Sequence, residues 1–227
     1  MKMKKLAYIL MIATFLGFLT SCDMDDDKYS DLYVGFGLVH QDSGSQTYTI
    51  VLDDGEILFP KNASSISDEF KNNDRVLTNF TILDTRVNTD SQEQYNVEIV
   101  SIRKILYKEI LDITSEIEDS IGNDPIKVKS RWLSGDLMNF ELQYYGGSKT
   151  HFINLVKQPG VISLENGPVI LELRHSTNDD PEHAPLAAIV TFNMSSLKIP
   201  GKTSTPFKII SKGFDGNVFE YSGDYKY

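Results

Sequence analysis

Thr47-Tyr48-Thr49-Ile50-Val51-Leu52-Asp53-Asp54-Gly55-Glu56-Ile57-Leu58-Phe59 reads as two short strands joined by a tight turn. Residues 47–53 are rich in β-branched and aromatic side chains, and alternation puts Tyr48, Ile50 and Leu52 on one face. Asp54-Gly55 is a turn signal leading into Glu56–Phe59, because glycine reaches positive φ at no steric cost. Outward from this hairpin, Tyr33–His40 alternates, a polar stretch runs from Pro60 to Asp74, and Arg75–Leu83 and Tyr95–Ile102 supply two more strands. Five strands with a break after the third predict a small closed barrel; the OB-fold leads, with an SH3-like barrel as the alternative.

The second half predicts seven strands: Lys127–Leu133, Leu137–Tyr145, Thr150–Lys157, Val169–His175, Ala187–Met194, Phe207–Lys212 and Val218–Tyr225. Ser134-Gly135-Asp136, Gly146-Gly147, Asn166-Gly167-Pro168, Pro200-Gly201 and Asp215-Gly216 punctuate them as turns. This rhythm suits an antiparallel β-sandwich of immunoglobulin type, without the Cys-Trp-Cys spacing of a true immunoglobulin domain. Between the halves, Lys104–Ile121 mixes Ile105, Leu106, Ile110, Leu111, Ile113 and Ile117 with acids, and part of it reads as a short helix. The resulting division is 29–105 for the barrel, 106–125 for an acidic inter-domain linker and 126–227 for the sandwich.

The N-terminus has a different character. Lys2, Lys4 and Lys5 precede an uncharged run from Leu6 to Leu19, the pattern of a signal peptide over residues 1–21. Fourteen residues of helix span roughly 21 Å, short of a hydrocarbon core of about 30 Å. The run ends in Leu19-Thr20-Ser21-Cys22, which resembles the lipobox of bacterial lipoproteins, with Cys22 as the lipidated residue. Cys22 is the single cysteine, so a mature chain has no disulfide and no thiolate for catalysis or metal. Asp23-Met24-Asp25-Asp26-Asp27 then begins an acidic tether over 22–28. Such a run resembles the signal that sends lipoproteins of some Gram-negative anaerobes to the outer face of the outer membrane. The expected membrane partner is therefore reached through the N-terminal lipid.

Charge narrows the function. Without the three lysines of residues 1–21, 19 basic side chains face 32 acidic ones, a net −13. Residues 29–105 carry twelve acids against six bases, whereas 126–227 carry ten against eleven. Nucleic acid is excluded as a partner, since its binding is dominated by cationic contacts to phosphate.

Thr114-Ser115-Glu116-Ile117-Glu118-Asp119-Ser120-Ile121-Gly122-Asn123-Asp124-Pro125-Ile126 resembles the domain junction of the NigD-like lipoproteins. Tyr144-Tyr145-Gly146-Gly147, His151-Phe152-Ile153-Asn154-Leu155-Val156 and Leu171-Glu172-Leu173-Arg174-His175 are similar to segments that follow in that family, and the order of motifs covers nearly the whole chain. The resemblance implies an N-terminal OB-type domain and a C-terminal β-sandwich. It implies no catalytic residue; the family name points to a bacteriocin-associated gene cluster, in production or immunity. Resemblance to secreted proteins of these anaerobes also implies O-glycosylation of Ser120, since Asp119-Ser120-Ile121 matches their acceptor pattern. The plainer reading makes Ser120 part of a turn.

No motif for nucleophilic catalysis, phosphate binding or dinucleotide binding occurs, so no enzyme and no cofactor are expected. His151 and His175 sit on adjacent predicted strands; with Glu172 or Asp136 they suggest a metal site, against a plainer reading as hydrogen-bonded structural histidines. Asp179, Asp180 and Glu182, followed by His183, are weak oxygen-ligand candidates for calcium, against a plainer reading as a solvated turn. Trp132, Tyr144 and Tyr145 are candidates for stacking on a glycan, against packing in the sandwich core. The expected function is thus a non-catalytic, surface-exposed binding lipoprotein with a glycan or protein partner; a glycan-binding module or weak glycan hydrolase is the alternative.

Overall fold

β1 (Leu32–His40), β2 (Thr49–Leu52), β3 (Ile57–Pro60), β4 (Arg75–Arg86) and β5 (Gln94–Lys104) close into a barrel in the order β1-β2-β3-β5-β4. These come from a computed structural model that describes residues 31–41, 47–62, 69–86, 92–165 and 167–227. The hairpin forms at the expected place: Gly55 takes φ +94 and donates to the Leu52 carbonyl at 3.0 Å, while Leu52 donates to Glu56 O at 2.8 Å. β3 runs parallel to β5, and the pairs β1–β2, β2–β3 and β4–β5 are antiparallel. This is the five-stranded Greek-key barrel of the OB type.

Alternation fills the barrel. Tyr48, Ile50 and Leu52 do point to one face, where they meet Val39, Leu58, Val76, Phe80, Val97 and Ile99. Each such buried side chain contributes roughly 1.5–3 kcal/mol relative to exposure. So small a barrel leaves little room at its axis: a Cβ on Gly37 would sit 2.5 Å from Ile50 Cγ2 and 2.7 Å from the Val51 carbonyl oxygen. Glycine is required there by close approach, not by its φ.

The second half forms two packed sheets. With β6 (Leu106–Glu109), β7 (Leu111–Asp112), β8 (Lys127–Ser134), β9 (Leu137–Gly146), β10 (Phe152–Lys157), β11 (Val169–Ser176), β12 (Ala184–Asn193), β13 (Ser204–Lys212) and β14 (Val218–Lys226), the orders are β14-β13-β11-β10-β7 and β6-β12-β9-β8. The core between them includes Met138, Phe140, Leu142, Leu155, Leu171, Phe192, Phe207, Ile209 and Tyr225. The seven expected strands are all present as β8 to β14.

Two details differ from the sequence reading. The acidic stretch 106–125 is not a free linker: β6 pairs parallel to β12 in one sheet, and β7 pairs parallel to β10 in the other. The chain leaving the barrel is therefore stitched into both layers before it reaches β8. Its helix is a single turn, α1 (Glu118–Ile121), which buries Ile121 against Ile113 and Val156. The sandwich is also mixed, because β11 and β13 form a third parallel pair. Barrel and sandwich belong to one compact unit, residues 33–227. Among the described residues, no helix is long and apolar enough to cross a membrane.

Candidate functional site

A concavity of about 720 Å³ opens where the mouth of the barrel meets the end of β8. Strand alternation builds its walls. On β1, Tyr33 stacks on Phe80 with centroids 5.8 Å apart, and Gly35 keeps the space above Leu52 open. Phe36, one residue on, faces outward and meets Trp132 of β8 at 5.2 Å and 53°. The hairpin turn contributes Asp53, Asp54 and Glu56, and the sandwich contributes Leu133 and Ser134.

The charge of the cleft is one-sided. Among the described residues, its lining holds three carboxylates and no Lys, Arg or His. Burial raises the Glu56 carboxyl above its ordinary value, and the nearby charges of Asp54 and Glu93 add to the effect. Tyr95, also in the wall, donates its hydroxyl to Glu93, which pushes the phenol up to about 12. Aromatic faces beside outward acceptors can hold a ligand that is flat or ring-shaped and rich in hydroxyl or ammonium hydrogens.

A buried polar lock holds the two walls together. Arg75, at the start of β4 and 1% exposed, donates through both terminal nitrogens to Asp53. It also donates from Nη2 to Asn139 Oδ1 at 3.0 Å and from Nε to Thr191 Oγ1 at 3.3 Å, reaching β9 and β12. Thr191 donates in turn to Asn139 Oδ1 at 2.7 Å, and Ser134 Oγ donates to the Asp53 carbonyl at 2.8 Å. Asp53 is thus aimed by the barrel, neutralised from beneath and tied to the sandwich. Sequence reading missed Arg75 and Asn139, whose contact joins positions 64 residues apart and whose shared partner Thr191 lies 52 residues beyond Asn139.

The aromatic candidates do not share a surface. Trp132 lies outside the sandwich core, half-buried in the junction cleft, contrary to a core role. Tyr144 does pack on that core, with its ring 4.8 Å from His151 and 5.1 Å from His175. Tyr145 points the opposite way, is 39% exposed and meets Phe214 edge-on in a separate cleft of about 590 Å³. Successive residues of a strand face opposite sides, which separates the two tyrosines.

The acidic loop also departs from its plainer reading. Asp180 is buried and turns inward to accept from Gly147 N, from Ser148 N at 3.2 Å and from His151. Those backbone N–H groups, that of Gly147 foremost, hold its carboxyl at about 2. Asp179 stays exposed with φ 55, and Glu182 rims the cleft of Tyr145, so the three carboxylates do not converge. Among the described residues no group of three or more His, Cys, Asp or Glu is placed to hold a metal. His151 and His175 do meet, ring nitrogen to ring nitrogen at 2.9 Å. Glu172 instead pairs with Arg174, and Asp136 with Lys198 and Tyr225, so neither joins the histidines. Ser120 is exposed on α1, its hydroxyl donating to the Ile117 carbonyl at 2.8 Å. Cys22, the signal peptide and the tether lie outside the described residues.

Comparison with known proteins agrees with this architecture. A protein of Parabacteroides distasonis named as toxin related is 29% identical, with 86% of this chain and 94% of that one covered and a TM-score of 0.71. A NigD-like immunity protein of Bacteroides caccae is 19% identical over 87% and 97% of the two chains, with a TM-score of 0.61. A protein of Bacteroides fragilis named as a lipoprotein is 13% identical over 87% and 98%, at 0.62. No curated protein sequence matches. The family model for the NigD-like N-terminal OB domain matches residues 36–105, and that for the NigD-like C-terminal beta sandwich domain matches residues 109–225. Barrel, sandwich and their order along the chain place this protein in the NigD-like family.

Proposed function

We propose that this protein is a non-catalytic binding lipoprotein of the outer-membrane surface, and that its ligand seats in the cleft between barrel and sandwich. The observation that carries the reading is the cleft itself, with Trp132 and Phe36 on one side and Asp53, Asp54 and Glu56 on the other. The lipobox at Cys22, the acidic tether and a relative named as a lipoprotein support the location. A neutral glycan is the ligand class of choice. Its C–H face stacks on an aromatic ring, its hydroxyls donate to the carboxylates, and it brings no anion into an acidic cleft.

Trp132 is the single tryptophan, so its emission reports directly on the cleft. Titration with a panel of neutral and acidic oligosaccharides should change that emission for neutral members, and Trp132→Ala should abolish binding in a parallel calorimetric titration. A panel that neither binds nor perturbs Trp132 refutes the glycan. For location, protease added to intact cells should remove the folded domains, and Cys22→Ala should abolish labelling with a fatty-acid probe. Domains protected until lysis would put the protein on the periplasmic face.

A second reading rests on the relatives named as toxin related and as an immunity protein: a role in bacteriocin production or immunity. Deletion that changes neither production of a bacteriocin nor sensitivity to it would remove this reading.

A further inference from the structure

Away from the cleft, four groups line up in series. His175 Nδ1 lies 3.1 Å from the Pro125 carbonyl oxygen, His175 Nε2 lies 2.9 Å from His151 Nδ1, and His151 Nε2 lies 3.1 Å from Asp180 Oδ2. A carbonyl oxygen only accepts, so His175 Nδ1 carries a proton. The next contact needs a second proton between the two rings, and the last needs a third between His151 and Asp180. Two neutral imidazoles supply only two.

The third proton must rest on the carboxyl or on a ring. Asp180 accepts from the Gly147 and Ser148 backbone N–H groups, an environment that favours the ionised form. Burial lowers the His175 pKa, and the neighbouring His151 lowers it further, so His175 is the neutral member. We propose that His151, His175 and Asp180 form a single-proton binding site, filled at neutral pH, with His151 as the doubly protonated bridge between a neutral His175 and an ionised Asp180. The cluster is then electrically neutral as a whole, which suits its burial: the side chains of His151 and Asp180 are each 2% exposed.

Among the described residues, the surrounding groups supply no competing proton donor. Tyr144 on β9 covers both rings, and burial raises its phenol, so it stays uncharged. Asp124, before β8, accepts from the Thr177 N–H and hydroxyl, and its negative charge favours a proton on the histidine pair. Lys149 is drawn away to the carbonyls of Asn178 and Asp179, and His183 packs against Gly147. Without the third proton, either two ring lone pairs face each other at 2.9 Å or the buried carboxylate faces a lone pair.

Folding at pH above about 6.5, where a free imidazole is neutral, takes up this proton. Long-range 1H–15N correlation on the full-length protein in detergent, labelled at histidine, tests the assignment. At pH 8, His151 should show protons on both ring nitrogens and His175 a proton on Nδ1 alone; a bare nitrogen on His151 in folded protein overturns the proposal. Unfolding by urea gives a second measurement. Between pH 7.5 and 8.5 the unfolding equilibrium constant should rise by about tenfold more for the wild type than for Asp180→Asn, one proton's linkage per pH unit. Equal slopes would refute the site, and if the variant does not fold, the wild-type spectrum decides alone.

Discussion

Arg75 of the barrel donates to Asn139 of the sandwich at 3.0 Å, while the same guanidinium holds Asp53 at the edge of the cleft. One buried cation thereby joins two domains and orients a carboxylate. Asn139 also donates to the carbonyl of Trp132 at 3.4 Å, so the lock reaches the aromatic wall. Removing one partner of a buried pair leaves the other uncompensated. Arg75→Ala should destabilise the protein by about 3 kcal/mol, at the low end for buried pairs because the Asp53 side chain keeps some exposure. Urea denaturation followed by Trp132 fluorescence would measure it; a loss under about 1 kcal/mol would show that the lock is not structural.

Crowding at the barrel axis gives a second expectation. Gly37→Ala places a methyl group against backbone at 2.7 Å, and a carbonyl cannot swing aside as a flexible side chain does. Strands β1 and β2 must part, at a cost of about 1–3 kcal/mol. Gly135→Ala is the contrast, since a Cβ there meets nothing within 4 Å and only its φ of +53 disfavours it. Thermal melting of the two variants should rank Gly37→Ala as the more damaging.

Asp180 predicts an acid limb. Its folded pKa, about 2, lies below the ordinary value of 3.8, so its contribution to stability is complete above pH about 4. That contribution is lost as the pH falls through about 2, when the carboxylate takes up a proton and surrenders its backbone donors. In a urea series from pH 5 to pH 2, the wild type should lose more stability than Asp180→Asn. Parallel curves would mean that the carboxylate is not stabilised in the fold.

Ser120 is accessible on α1, with exposed Asp119 beside it and its hydroxyl donating to the local Ile117 carbonyl. A glycan at this position would project into solvent without displacing the core. Mass spectrometry of the native peptide containing Ser120 should find a glycosylated mass. An unmodified peptide from cells whose other lipoproteins are glycosylated would leave Ser120 its turn role alone.

Local pattern was sufficient for the barrel and for seven strands of the sandwich. Alternation in Tyr48, Ile50 and Leu52, and a turn at Asp54-Gly55, are properties of neighbouring residues, and neighbours set strand and hairpin before any distant contact forms. The adjacency of His151 and His175 was legible for the same reason, since their strands follow one another and pair antiparallel. Strands β6 and β7 were not legible: four residues and two residues carry too little pattern, and each becomes a strand only through a parallel partner far along the chain. Trp132 could not be placed because a strand's two faces look alike until something covers one of them, and here the barrel covers the face away from the core. Arg75 and Asp180 are the sharper cases. A charged side chain in sequence reads as solvated, and only the fold brought Asp53, Asn139 and Thr191 to one, and the Gly147 turn and His151 to the other, supplying the hydrogen bonds that make burial of a charge tolerable.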